Sequence, residues 1–428
     1  QKKSVVYMSN FEEILNDSLI FTGAGFSKPA GCKLSFEMLK DLENKSNDEN
    51  SKIFTTSERK AIKFILSCLD YQARYRTLES NGKYSYFPNI EEFAQLLRRI
   101  RNRENLLPYP VTGNWSDKIT MIEQDFKIEV QNPEKDIWSS IEDKIKDHCY
   151  KEWLSNDNSN KEYLNPLKEY LKKLRNNQKI EIFTLNNDLV LENFFSDENS
   201  LYTGFVSNKW VGFERENIDD DTFNASRINY YKLHGSMDWI RLSDGSIIKN
   251  QNNSFDESNI EISPFLIFGH GTKIYTIDPF FSLLEYFRLS LRKKKYFFIV
   301  GYSFFDPHIN NLLFYELSIN PDKFMLIINP KIIDDLNDED FKNKCKKDVF
   351  NIENVLVKSA KQKLVEYFNN VQQNPIYTEL PDFNIRKISS ESFEYIKTTT
   401  DDFIKNFENF LGFVSQHRDN KQTQVNIF

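Results

Sequence analysis

Glycine is scarce in this chain, at 13 of 428 residues, where roughly 7% is usual. Each one therefore marks a place where the backbone turns sharply or is closely approached. Cysteine is scarcer. The four, Cys32, Cys68, Cys149 and Cys345, lie far apart with no C-x-x-C pair, which argues against a zinc ribbon and against a disulfide scaffold. A reducing cytoplasm is the expected location. No uncharged apolar run reaches the ~18 residues of a membrane span, and Gln1-Lys2-Lys3 leads into no apolar segment of a secretory signal. Basic excess is absent too: Lys+Arg is 56 against Asp+Glu 63, a formal charge of -7. Phosphate neutralisation drives nucleic-acid affinity, so the bulk field argues against direct nucleic-acid binding.

Aromatic residues are abundant, with 37 Phe and 20 Tyr, enough to offset the ordering entropy of a folded core. At roughly 150 residues per domain, the length predicts two to three domains. Five apolar runs read as strands: Ser18 to Phe21, Ile180 to Thr184, Ile228 to Leu233, Tyr296 to Val300, and Phe324 to Asn329. Between the last two, Pro307 to Leu317 is amphipathic and helical, the spacing of a right-handed βαβ unit. The expected fold is α/β, a Rossmann-like doubly wound parallel sheet. Between the first two strands lies a block with helical periodicity: Ile62, Ile65, Leu66 and Leu69 share a face, and so do Ile90, Phe93, Leu97 and Ile100. Asn89 is its expected cap, and Ser35 the cap of an earlier helix. This predicts a domain over 1–330 interrupted by a helical insertion at about 45–175, with polar loops near 101–118 and 155–160. A C-terminal extension, 331–428, is expected to be helical. Its residues 334–348 read as a solvated helix. Phe393, Ile396, Thr400, Phe403, Phe407 and Phe410 form a stripe that is either a seam for a partner or a terminal helix docked on its own core.

The chemistry-bearing residues cluster at strand ends. Gly23-Ala24-Gly25-Phe26-Ser27 follows the first strand, and a G-x-G turn can present backbone N–H groups to a diphosphate. Taken alone, an ordinary strand-to-helix turn is the plainer reading. Asn186 and Asp188 end the second strand, where ligands bind in parallel sheets; an Asx turn is the plainer reading. His234-Gly235 ends the third. Histidine suits proton handling near neutral pH, although a hydrogen-bonded structural role fits as well. Gly301-Tyr302-Ser303-Phe304-Phe305-Asp306-Pro307-His308 and then Ile328-Asn329 end the last two.

Taken in order, G-A-G-x-S, T-x-N-x-D, L-H-G-S, G-Y-S-x-x-D-P-H and I-N resemble the sirtuin-like NAD-binding domain, most closely its bacterial antiphage-defence branch. The resemblance implies NAD as substrate and no metal. It places Gly23, Ala24, Gly25 and Ser27 at the diphosphate, and Gly301, Ser303 and Asn329 at the adenosine half. Asn186, His234 and Asp188 become the catalytic set, with Asn186 and Asp188 beside the nicotinamide ribose and His234 at the ribose hydroxyls. Deacylating sirtuins carry a four-cysteine zinc module where residues 236–300 hold no cysteine, and a P-D-F-R segment where Cys32-Lys33-Leu34-Ser35-Phe36 stands. The implied activity is therefore NAD hydrolysis to nicotinamide and ADP-ribose, by an effector that depletes NAD upon infection. The alternatives are a non-catalytic NAD or ADP-ribose sensor or scaffold, and a protein ADP-ribosyltransferase or deacylase. Such an effector must be restrained, so a homo-oligomer is expected, with a separate sensor or HerA-type ATPase as partner. The chain itself has no G-x-x-x-x-G-K-[ST] motif.

Overall fold

The computed structural model describes residues 13–79, 88–102, 115–154, 161–174, 178–196, 200–214, 226–250, 259–267, 277–304, 306–320, 322–330, 393–396 and 398–415. Its centre is a seven-stranded, all-parallel sheet. The strands are β1 (Ser18–Thr22), β2 (Ile180–Thr184), β3 (Leu201–Tyr202), β6 (Ile228–Lys232), β10 (Tyr296–Val300), β11 (Phe324–Ile328) and β12 (Phe393–Ile396). Their spatial order is β12-β11-β10-β1-β2-β6-β3. From β1 the chain winds outward one way through β2 and β6, then returns to build β10, β11 and β12 on the other side. The switch of direction falls between β1 and β10, which is where doubly wound sheets bind ligands.

Strand periodicity of two explains both faces of this sheet. Leu19, Phe21, Phe183, Tyr231, Phe297, Ile299, Met325 and Ile327 enter one core. There they meet α9 (Phe280–Lys293) and α10 (Pro307–Ile319). Ile20, Ile182, Tyr230, Phe298, Val300, Leu326 and Ile328 enter the other core. That core takes in α7 (Asn165–Lys173), α11 (Thr400–Lys405) and a helix over 407–415. β1, β10 and β11 are buried at every position, as the middle strands of a sheet covered on both faces must be.

Between β1 and β2 the chain forms α1 (Ala24–Ser27), α2 (Ser35–Asn47), α3 (Thr56–Glu79), α4 (Ile90–Arg101), α5 (Trp115–Glu129) and α6 (Ile137–Lys144). Beyond α6 the helix runs on through a π-helical turn, Ile145–Tyr150, to Leu154. The helices α2 to α6 share a core of their own, built on Leu42, Ile62, Phe93, Phe126 and Trp138. Asn89 caps α4, its Oδ1 accepting from Glu91 N and Glu92 N at 2.9 and 3.0 Å. The cap of α2 is Leu34 rather than Ser35, because the Glu37 carboxylate reaches back to Leu34 N at 2.8 Å. Residues 115–118 belong to α5 and not to a polar loop, since Ile119, Ile122 and Phe126 bury its face. Residues 103–114, 155–160 and 334–348 lie outside the described residues.

A second, antiparallel sheet has the order β4-β5-β8-β7-β9, from β4 (Phe205–Val206), β5 (Lys209–Trp210), β7 (Trp239–Leu242), β8 (Ile247–Lys249) and β9 (Ile260–Ile262). Phe205, Trp210, Phe213 and Trp239 pack edge-on and tilted to hold it against the main sheet. The C-terminal stripe does not form one helix. Phe393 and Ile396 are in β12, which pairs with β11 from Met325 to Ile328, and helix begins only at Thr400. Phe403, Phe407 and Phe410 are buried against Phe298, Tyr170 and one another. Among the described residues no helix is long and apolar enough to cross a membrane.

Candidate functional site

At the switch point the glycines of β1 and β10 lock together. A Cβ on Gly301 would lie 2.5 Å from Gly25 C and Phe26 N, and one on Gly23 would lie 2.8 Å from Gly301 O. Gly301 also has φ 63°, a conformation costly for any other residue. Gly23 N and Gly25 N donate to Val300 O and Gly301 O at 3.0 and 2.9 Å. These two N–H groups are thus engaged by the end of β10. Scarce glycine here serves close approach of two backbones.

The turn's carbonyls are held from three directions. Gly23 O accepts from Asn186 Nδ2 at 2.9 Å, Gly25 O from Thr400 Oγ1 at 2.9 Å and Phe26 O from Tyr163 Oη at 3.1 Å. Ala24 is left exposed at the tip and Gly25 half-buried.

Asn186 joins two of the motifs. Besides Gly23 O, its Nδ2 lies 3.0 Å from Ser27 Oγ. A carbonyl can only accept, so the Gly23 contact fixes the amide's orientation and leaves Oδ1 as the acceptor. Ser27, which is buried, also bonds the Asp188 carboxylate, as does Val190 N at 3.0 Å. Asp188 is only 2% exposed. Burial holds its carboxyl above the usual carboxylate range, opposed by the Lys232 ammonium and by Ser27 and Val190. The carboxylate is therefore buried and linked to Asn186 through Ser27.

Below lies a buried charge cluster. Lys232 Nζ contacts Asp188 O, Glu192 Oε1 at 2.8 Å and Ser236 Oγ at 2.7 Å. Burial raises the Glu192 carboxyl as well, against the pull of Lys232. Lys249, on β8, bonds Thr203 Oγ1 at 2.7 Å; burial lowers its pKa, against the pull of Asp238 and Glu192.

His234, at the end of β6, is buried with 9% exposure. Its Nε2 lies 3.1 Å from Asp306 Oδ2, and its carbonyl accepts from Asn187 Nδ2 and Ile267 N at 2.8 and 2.7 Å. Gly235, with φ 75°, forms a bridge to Leu266. The histidine is thus both hydrogen-bonded and at the carboxyl edge. Gly301 lies in the turn lock, and Ser303 is exposed beside it. Asn329 is half-buried and donates to Tyr302 O at 3.2 Å.

Residues 180–350 match the family model of the SIR2-like domain. No curated protein matches the chain. The SIR2-like stretch runs from β2 through β11, taking in Asn186, Asp188, His234, Gly301, Ser303 and Asn329, and it supports an NAD-binding or NAD-utilising function. The glycine turn after β1 precedes the match. It meets the SIR2-like residues through the Gly301 lock and Asn186. In the place of a cysteine module, the stretch after His234 supplies β7, β8 and β9 of the antiparallel sheet. Thr400, Tyr163 and Lys232 have no site role in the sequence reading, and Asp306 stands within the Gly301 to His308 motif without one of its own. Asp306 alone carried a readable sign, an Asp-Pro pair at a helix start.

Proposed function

We propose that the chain is an NAD glycohydrolase, which cleaves the bond between nicotinamide and ribose with water and yields nicotinamide and ADP-ribose. The observation that carries this is the pinned carboxamide of Asn186. Both of its N–H groups are directed into the glycine turn and Ser27, so its oxygen is preset to accept a hydrogen bond from a water or a ribose hydroxyl. NAD supplies a leaving group that departs neutral from a cationic ring, so the protein's task is to bind, orient and stabilise charge. Asn186 aligns the water. His234 takes its proton, and Asp188 acts indirectly by holding Ser27 and Asn186 in place. Both glycine-marked strand ends bring the turn close enough to share one ligand with these residues.

The order of the five motifs also supports an antiphage role, in which NAD is depleted when a partner or an oligomer releases restraint. A second reading, binding without turnover, is favoured by the deep burial of His234 and Asp188. Nicotinamide release from NAD by the purified chain separates the two. Hydrolysis predicts release that Asn186→Ala and His234→Ala each reduce at least ~100-fold, with both variants still folded by circular dichroism. NAD binding with no release, alone or with the product of a neighbouring gene, would replace hydrolase by sensor. Release that needs an added acceptor protein would indicate transfer.

A further inference from the structure

The loop from β10 to α10 is built at conformational cost. Gly301 and Phe304 both have left-handed backbones, φ 63° and 59°, and Phe304 is fully buried. A bulky residue there is a genuine outlier, held only where its surroundings over-determine it. Here Phe304 O accepts from Asn310 Nδ2 at 2.6 Å, and its ring stacks near Phe314. Tyr302 Oη lies 2.9 Å from Asn310 Oδ1 and accepts from Asp306 N at 3.2 Å. All of these contacts converge on the position of Asp306, which is 4% exposed.

Asp306 uses its two oxygens differently. Oδ1 caps α10, accepting from His308 N and Ile309 N at 2.9 and 3.2 Å. Oδ2 faces His234 Nε2 at 3.1 Å. A carboxylate already accepting two backbone N–H groups is an acceptor toward the ring. Nε2 of the neutral imidazole then carries the hydrogen.

Building on the hydrolase reading, we propose that Asp306 is a positioning residue that fixes the tautomer and orientation of His234. The strained loop is what delivers the carboxylate to a histidine 72 residues earlier in the chain.

The test is Asp306→Asn. Asparagine caps helices as well as aspartate does, so its oxygen stays on the cap and its NH2 turns toward His234. Nε2 must then accept, and the ring proton moves to Nδ1. Nitrogen-15 NMR of the imidazoles reads this directly, with His234→Ala assigning the resonance among the five histidines. The expected result is an Nε2-protonated neutral ring in the wild type and an Nδ1-protonated ring in Asp306→Asn. Nicotinamide release should show kcat lower by about 10²- to 10⁴-fold, the scale of a wrong-tautomer defect, with KM near wild type. Asp306→Asn should cost nothing more in the His234→Ala background. Asp306→Ser, which keeps a capping oxygen but removes the partner, should lose kcat similarly if Asp306→Asn fails to fold. An unchanged tautomer in Asp306→Asn, or a kcat loss that adds to that of His234→Ala, would overturn the assignment. If the wild type releases no nicotinamide, the hydrolase reading fails instead, and the spectrum still reports the pairing.

Discussion

Replacing Lys232 by Met tests the buried charge cluster beneath the site. The lysine is 1% exposed and its ammonium contacts Asp188 O, Glu192 Oε1 and Ser236 Oγ. Methionine matches the length of the side chain and removes the charge. Glu192 Oε2 already has no hydrogen-bond partner, so the variant removes the ammonium that bonds Glu192 Oε1 and leaves the buried carboxylate only the pull of Lys249. Breaking a buried pair in this way costs about 3–5 kcal/mol, measurable by urea unfolding near neutral pH. The pH dependence identifies the cause. Burial holds Asp188 and Glu192 above their ordinary values of 3.8 and 4.5. Groups raised on folding stabilise fully below the unfolded value, and that stability is lost as pH rises through the folded one. Without the ammonium the folded values rise further, so the loss continues to higher pH. The deficit of Lys232→Met should therefore be largest from neutral pH upward. It should shrink on acidification by at most about 1.4 kcal/mol per pH unit for each extra proton bound. A deficit that stays constant between about pH 8 and pH 5, or that grows toward acid, would refute the reasoning.

Gly301→Ala should destabilise by more than the ~1–2 kcal/mol of left-handed strain alone, because its Cβ meets the Gly25–Phe26 backbone at 2.5 Å. NAD affinity by calorimetry should fall with it, and a stability change within ~0.5 kcal/mol would show that the lock yields easily. Phe407→Ala should cost about 3–5 kcal/mol in urea unfolding of the isolated chain, since Phe407 packs on Tyr170, Phe298 and Phe403. A residue reserved for a partner would leave that stability unchanged. Burial pushes the Cys68 and Cys149 thiols up to about 12, so both should resist alkylation in the native protein at about pH 8 and react once denatured. Peptide mass mapping that finds either one modified rapidly in the native state would contradict their placement.

What could be read without coordinates was whatever repeats over enough residues. β1, β10 and β11 are buried on both sides, and a run such as Tyr296 to Val300 has one reading. β12 has four residues, and the spacing of Phe393 to Ile396 suits a helix equally, so one period fits residues that belong to a strand, a turn and two helices. The strands of the second sheet span two to four residues, too short for alternation to register. The glycines show a different limit. Gly23, Gly25 and Gly301 stood out because glycine is rare, but rarity says only that something comes close, and what comes close is the other strand's backbone. Asp188 and His234 were found by their place at strand ends, which fixes the edge of the sheet and not the depth. Side chains on alternate residues point to opposite faces, yet whether one opens to the crevice depends on the loops that close over it. For His234 that closure comes from Asp306, on a loop whose geometry rests on two left-handed residues, and no local pattern announces a contact made across 72 residues. Asp306 and Pro307 do open a helix, as the residue types favour. That Asp306's second oxygen holds a histidine follows only from the fold, in which β6 and β10 lie on opposite sides of β1 and β2 and the loop after β10 reaches the end of β6.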